Sequence, residues 1–265
     1  DVFEQYCNIW KLQVNIDKTK IIVFSKKKVR DNFDFHVYGN AIEVVDSYNY
    51  LGITFNYNGN FCTARKRIFD QAQKAMFALY RKIKHISLPI DIQLQLFDAV
   101  IAPILLYSSE VWGFENKQNI EKMHLQFCKN ILGVRNSTPN FMVYGELGRV
   151  PLDITIKLRM ASFWCRTIKT ESKLSNILLR LMIKLHETNP TKFKWIQYVK
   201  SIFDDTGLSF IWNDQLVVNI DWLKSMVKQR LTDQYYQHWF SQIHNASRGE
   251  FYSLFKLEFG LEPYL

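Results

Sequence analysis

The pattern of apolar and polar positions changes character near residue 60. Before it, apolar residues come in short runs. Val2, Phe3, Tyr6, Ile9, Trp10 and Leu12 are spaced as on the end of an amphipathic helix. KIIVFS, starting at Lys20, is rich in β-branched residues and predicts a strand. In FDFHVYGNAIEVV, Phe33, Phe35 and Val37 alternate with polar neighbours, and Gly39-Asn40 between two such runs predicts a hairpin. YNYLGITFNYNG predicts another short strand, closed by Asn58-Gly59. Together these residues read as a helix end followed by three or four strands in a small antiparallel sheet.

After residue 60 the period becomes helical. In TARKRIFDQAQKAMFALYRKIKHI, Ile68, Ala72, Ala75, Met76, Leu79 and Ile83 form an apolar stripe, and Arg65, Arg67, Lys74, Arg81, Lys82 and Lys84 lie mostly off it. DIQLQLFDAVIAPILLYSSEVWG predicts a second helix, bent or ended by Pro103. NKQNIEKMHLQFCKNILGV predicts a third, with Ile120, Met123, Phe127 and Ile131 inward and Gly133 as its stop. PLDITIKLRMASFWCRTIK predicts a fourth, opened by Pro151. Further helices are expected from about Leu174, Lys192, Asp221 and Gly249. The fold class is therefore α+β: a small sheet, then a mostly helical chain. Segments 187–190 and 204–207 are candidate boundaries, and the division expected is 1–60, 61–189 and 190–265.

Composition narrows the class. The chain has 265 residues, 48% of them hydrophobic, with 20 Phe, 13 Tyr and 7 Trp, enough for a sizeable core and against general disorder. Lys and Arg number 34 against 25 acidic residues, a formal net charge of +9. Such a surplus points to a polyanion, nucleic acid before membrane, or to a basic surface with no such partner. Cys7, Cys62, Cys128 and Cys165 are far apart, so neither a zinc site nor a disulfide scaffold is indicated, and an intracellular setting, nucleus or cytoplasm, is expected. No run of eighteen apolar residues predicts a membrane span. The first residues lack the pattern of a signal peptide, and the chain begins on Asp, as a processed product or a piece of a longer chain does.

A catalytic constellation is not evident. The six His residues lack metal-ligand spacing, and there is neither a Gly-rich phosphate loop nor a G-x-S-x-G turn. Asp204-Asp205 reads as a solvated turn. Glu146 and Asp153 read as helix-terminus groups favoured by the macrodipole. The basic residues say more. Lys18, Lys20, Lys26, Lys27, Lys28 and Arg30 bracket a strand, and Arg65, Lys66 and Arg67 open a helix. Tyr50, Tyr57, Phe61, Tyr80 and Trp112 fall near them. Cations of this kind hold phosphates and aromatic faces stack on bases, although most of these aromatics are expected in the core.

The order YCNIWKLQVNIDKTKIIVF, then VYGNAIEVVDSYNYLGITF, resembles the polymerase region of non-LTR (LINE-type) retrotransposon reverse transcriptases, which are RNA-directed DNA polymerases. The family's palm has a helix ending in W-x-L-x-(V/I)-N-x-x-K-T-K, then a strand and a Y-L-G primer-grip hairpin. Here the matching positions are Trp10, Leu12, Val14, Asn15, Lys18, Thr19 and Lys20, then Tyr50, Leu51 and Gly52. NGNFCTARKRIFDQAQKAMFALYRK, LPIDIQLQLFDAVIAPILLYSSEVWG, HLQFCKNILGVRNSTPNFMVYGELGRVPL and FYSLFKLEFGLEPYL extend the resemblance over essentially the whole chain.

The resemblance implies that 1–60 is the end of a palm, 61–189 a thumb and 190–265 a C-terminal helical extension. Lys18 or Lys20 would lie near the incoming nucleotide's phosphates, with Asn15 and Thr19 shaping the loop. Tyr50, Leu51 and Gly52 would hold the primer's end. Lys26, Lys27, Lys28, Arg65, Lys66, Arg67 and Lys74 would contact an RNA–DNA template–primer. The family's metal-binding aspartates precede the segment at Trp10, so no catalytic residue, no metal ligand and no Mg²⁺ is expected in this chain, although an intact relative uses Mg²⁺. A fragment inactive as a polymerase, able at most to bind nucleic acid, is the expectation. A domesticated nucleic-acid-binding module and a structural or protein-interaction helical domain are the alternatives. The oligomeric state stays open. The sheet from Lys20 to Phe55 is expected to expose an apolar edge.

Overall fold

In the computed structural model, residues 2–26, 34–115, 117–170, 173–245 and 251–265 are described. Lys27, Lys28, Arg30, Phe33 and Gly249 lie outside them. Contacts divide the chain into two units, Asp1–Asp70 and Gln71–Leu265.

The first unit opens with helix α1 (Val2–Ile9). The amphipathic helix is there, but Val2, Phe3, Tyr6, Ile9, Trp10 and Leu12 are exposed, and Cys7 is the residue it buries. Among the described residues six short strands follow: β1 (Lys20–Ile21), β2 (His36–Val37), β3 (Asn40–Ala41), β4 (Glu43–Val44), β5 (Ser47–Tyr50) and β6 (Ile53–Asn56). The expected single antiparallel sheet does not form among the described residues. There are three separate pairs, β2–β3 and β5–β6 antiparallel and β1–β4 parallel. The β2–β3 turn is Tyr38-Gly39, one residue earlier than the sequence suggests. Both carry positive φ, 49° and 73°, as a two-residue type I′ turn requires. The Tyr38 amide donates to Glu4 and its hydroxyl to Asn8, tying this turn to α1.

In the second unit the helices follow the periodicity. Helix α2 (Cys62–Ile83) begins in the first unit and continues into the second. It buries Ile68, Ala72, Met76 and Leu79 of the expected stripe, with Ala64 added, while Ala75 and Ile83 are half-buried. The second expected helix is broken into α3 (Ile90–Leu96), a π-helical turn (Phe97–Ile101), α4 (Ala102–Leu105) and α5 (Ser109–Trp112). Pro103 explains the widening: its ring clashes with regular α winding, and the Ala102 amide reaches back five residues to the Phe97 carbonyl. Helix α6 (Gln118–Ile131) stops before Gly133, at φ 63°, as expected. Then come α7 (Asn140–Glu146), α8 (Leu152–Lys169), α9 (Leu174–Thr188), α10 (Lys194–Asp205), α11 (Ser209–Asn213) and α12 (Ile220–Asn245), with a 3₁₀ turn at Tyr252–Leu254.

Helix α8 is the axis of this unit. It packs against α5, α6, α9, α10 and α12. A helix surrounded in this way needs apolar residues nearly all round, and α8 buries Leu152, Ile154, Ile156, Met160, Ala161, Trp164, Cys165 and Ile168. Trp164 stacks on Trp212 and meets Phe203 edge-on. A second cluster joins Phe141, Trp239, Ile243 and Tyr252. The Asp204-Asp205 pair ends α10 instead of forming a loop, and Asp204 pairs with Lys200 at 2.8 Å. Glu146 lies at the C-terminal end of α7, the wrong pole for an acid, and accepts from the Tyr264 hydroxyl. Asp153 sits in the first turn of α8 as expected, paired with Lys117 and Lys157.

Candidate nucleic-acid interface

The loop between α1 and β1 is shaped by Asn15. Its side-chain oxygen accepts from the Lys18 amide at 3.0 Å, and its carbonyl accepts from the Thr19 hydroxyl at 2.7 Å. This is the Asx-type turn that Asn favours over helix or strand. Lys18 is exposed, with its carbonyl held by the Tyr48 hydroxyl at 3.0 Å. Lys20 differs. It sits in β1, half-buried, and its ammonium pairs with Glu43 of β4 at 2.7 Å. A phosphate at Lys20 would have to compete with that carboxylate, whereas Lys18 presents its amine to solvent.

Tyr50, Leu51 and Gly52 form the end of the β5–β6 hairpin. Tyr50 pairs with Ile53, and Leu51 and Gly52 are the two central residues, at φ 48° and 82°. Positive φ at both central residues makes this a type I′ turn, whose twist matches the strands and whose second position suits Gly. Leu51 is 73% exposed and Tyr50 59%, so the tip projects an aromatic and an aliphatic side chain into solvent. The other end of the hairpin is fastened to the start of α2. The Asn56 amide donates to the Asn60 carbonyl at 3.0 Å, the Asn60 side chain accepts from the Cys62 amide, and Phe55 meets Phe61 edge-on.

Helix α2 segregates its charges. Lys66, Arg67, Lys74, Arg81 and Lys82 are exposed, opposite the buried stripe. Arg67, Lys74 and Arg81 recur every seven residues, so they share one face and span roughly 21 Å of helix axis. Asp70 interrupts that face with one negative charge. Arg65 is only half-exposed and turns a guanidinium N–H toward the Cys62 sulfur at 3.3 Å, so it belongs to the helix rim. Lys26 is exposed at the end of the strand region, and Lys27 and Lys28 lie outside the described residues. The structure thus groups Lys66, Arg67 and Lys74 on one helix face and places Tyr50, Leu51 and Gly52 in one turn. Lys18, Lys20 and Lys26 lie elsewhere in the first unit.

Of the five aromatics picked out near these charges, Tyr50 alone is exposed. Trp112 is fully buried, and Tyr57, Phe61 and Tyr80 are half-buried. Tyr80 stacks on Phe127, and its hydroxyl accepts from Asn130 at 3.1 Å.

Sequence reasoning passed over a buried polar cluster in the second unit. Glu121 of α6 accepts from the Tyr144 hydroxyl and from the Leu152 amide at 3.0 Å. The His124 ring is fully buried, stacked on Phe97, with Nδ1 3.2 Å from the Tyr144 oxygen. Burial pushes His124 below its ordinary value of 6.5, against the opposing pull of Glu121. Burial likewise raises the Tyr144 hydroxyl, with the Glu121 charge adding to it, and pushes the Cys128 thiol up to about 12. Glu121 and His124 are neighbours on one helix face, but Tyr144 comes from another helix, so spacing alone gave no signal. Among the described residues no group of three or more His, Cys, Asp or Glu is placed to hold a metal ion, and no helix is long and apolar enough to cross a membrane.

Comparison with known proteins gives two partial likenesses. Over 136 residues the chain is 21% identical to the RNA-directed DNA polymerase from mobile element jockey of Drosophila melanogaster, covering 49% of this chain and 14% of that protein. Over 140 residues it is 25% identical to an uncharacterized transposon-derived protein of Caenorhabditis elegans, covering 49% of this chain and 47% of that one. The chain thus spans less than half the length of either curated relative. No protein-family profile matches it, and no solved structure matches it. Distant similarity at this coverage links the chain loosely to proteins of retrotransposon origin.

Proposed function

We propose that this chain is the palm end and thumb of a non-LTR-type reverse transcriptase, and that its own contribution is to hold an RNA–DNA template–primer. The observation that carries this reading is the exposed row of Lys66, Arg67, Lys74 and Arg81 on α2, set against the buried stripe of the same helix. A straight row of cations about 20 Å long runs beside several successive phosphates of one strand, whose spacing is about 3.4 Å. Counterion release then supplies the affinity, independent of sequence. The β5–β6 tip suits the primer grip: a Gly at positive φ lets backbone approach a strand, and exposed Tyr50 offers a ring to a base or sugar. The similarity to the jockey polymerase supports the same reading. The proposal assigns binding and positioning to these residues and no catalytic step.

The test is fluorescence-anisotropy binding to an RNA–DNA primer–template across a salt series. Affinity is expected to fall steeply with salt. Changing Lys66, Arg67 and Lys74 together to Ala is expected to reduce the log–log slope by about 1 per cation removed. Absence of binding at low salt, or an unchanged slope in the triple variant, would leave the chain a structural helical domain with a solvated basic face.

A further inference from the structure

A second basic feature lies wholly within the second unit, and none of the nucleic-acid-contacting residues picked out above lines it. A cleft of about 380 Å³ is lined by Asp98, Arg149, Thr155, Arg159 and Lys228, among others. They come from four places: the π-helical turn, the loop before α8, α8 itself and α12. Helices α8 and α12 pack on each other, which brings Arg159 and Lys228 to one cleft. Three cations and one carboxylate line it.

The single carboxylate is already committed. Asp98 takes two parallel hydrogen bonds from the Arg149 guanidinium, at 2.6 and 2.5 Å, the fork geometry that satisfies both of its oxygens. That pair is nearly neutral as seen from the cleft. Arg159 and Lys228 have no carboxylate partner among the described residues. Arg159 is nevertheless fixed, because one of its N–H groups donates to the Leu106 carbonyl just past α4, and that carbonyl also accepts from the Ser109 amide at 3.2 Å. Thr155 stands one helical turn before Arg159 on the same face of α8 and adds a hydroxyl. Two uncompensated cations, one of them a held guanidinium, with a hydroxyl beside them, are the donor set that tetrahedral oxyanions select.

We infer that this cleft is a phosphate-binding site, in which Arg159, Lys228 and Thr155 hold the non-bridging oxygens of one phosphate group and the Arg149–Asp98 pair shapes the wall. The site stands on its own geometry and does not require the α2 face to bind anything. Its phosphate comes either from a nucleic-acid strand, as a singly charged diester, or from a free or terminal phosphate, as a dianion.

The test titrates the full chain, at low salt, with inorganic phosphate and separately with dimethyl phosphate, followed by phosphorus NMR. Saturable binding is expected, weakened about tenfold by Lys228→Gln and by Arg159→Gln, since each removes one charged hydrogen bond. Lys228 is exposed, so its variant folds as the parent does, and Lys184→Ala, at an exposed position on α9, is expected to leave the titration unchanged. Comparable saturation by dimethyl phosphate assigns the site to a strand. Saturation by inorganic phosphate alone assigns it to a free or terminal phosphate. No saturation by either ion, or a Lys228→Gln titration that matches the parent, overturns the inference.

Discussion

At the scale of single residues, the most consequential group is His124. It is fully buried, stacked on Phe97, with Glu121 and Tyr144 at its Nδ1 side and the Arg149–Asp98 pair nearby. Because burial lowers its folded pKa below 6.5, the unfolded chain binds a proton that the folded chain refuses. Its contribution to stability is whole above pH 6.5 and is lost as pH falls toward the folded value. Melting temperature is therefore expected to drop between pH 7.5 and 5.5, and His124→Gln is expected to flatten that drop. An equal slope in parent and variant would remove His124 from this role. Asp153, brought down by Lys117 and Lys157 against the upward push of burial, adds a second acid-labile contribution at lower pH. The surroundings of His124 were not legible in the sequence, where it is one of six scattered histidines, whereas the place of Asp153 in the first turn of α8 was. By contrast the Asn15 loop and the Leu51-Gly52 turn were expected, but only from the family resemblance; the local pattern alone ran one strand through YNYLGITFNYNG, where the structure turns back at Leu51-Gly52. Lys20 shows the limit of such reading. Its strand position was readable, but its partner Glu43 is set by a parallel pairing that no local pattern encodes.

At the scale of elements, helices were read well and strands poorly. A helix is fixed by residues three and four apart, so α2, α6, α8 and α9 stand close to where the periodicity puts them. A strand needs a partner at unspecified distance, and here the partners are three separate pairs of two to four residues each. The segment around Pro103 shows a helix pattern overridden by one residue: the stripe runs through, but the missing N–H forces a wider turn and then a break. Close helix packing also depends on features that periodicity hides. A Cβ on Gly145 of α7 would lie 2.7 Å from the Trp239 indole nitrogen, which itself donates to the Phe141 carbonyl at 2.9 Å. Gly145→Ala is expected to cost about 1–3 kcal/mol in urea unfolding, since the indole cannot retreat without losing that bond. Gly260→Ala meets nothing within 4 Å and is expected to stay within about 0.5 kcal/mol of the parent. Equal costs for the two would mean that the α7–α12 contact is loose.

At the scale of the whole molecule, the two units differ in how much they bury. The first holds few core residues, Cys7, Ile42, Ile53, Ala64 and Ile68 among them, and leaves Trp10, Phe24, Tyr50 and Leu51 exposed. The expectation of an exposed apolar surface along the strands agrees with this. Limited proteolysis is therefore expected to cut within the first sixty residues before the helical part, because local opening is cheapest where least is buried. Equal protection of both parts would contradict it. The second unit closes on itself over a long stretch of chain. Trp239 and Tyr252 come back to the helix that holds Phe141, and the Tyr252 hydroxyl reaches the Met142 carbonyl across 110 residues. A chain is synthesised from its N-terminus at about 5–20 residues per second. Helix α7 therefore waits about 5 to 20 s on the ribosome, its aromatic face bare, before the residues that cover it exist. During that interval Phe141 and its neighbours are a surface for chaperones or for other nascent chains, and the rate of translation through α8–α12 sets how long that surface stays open.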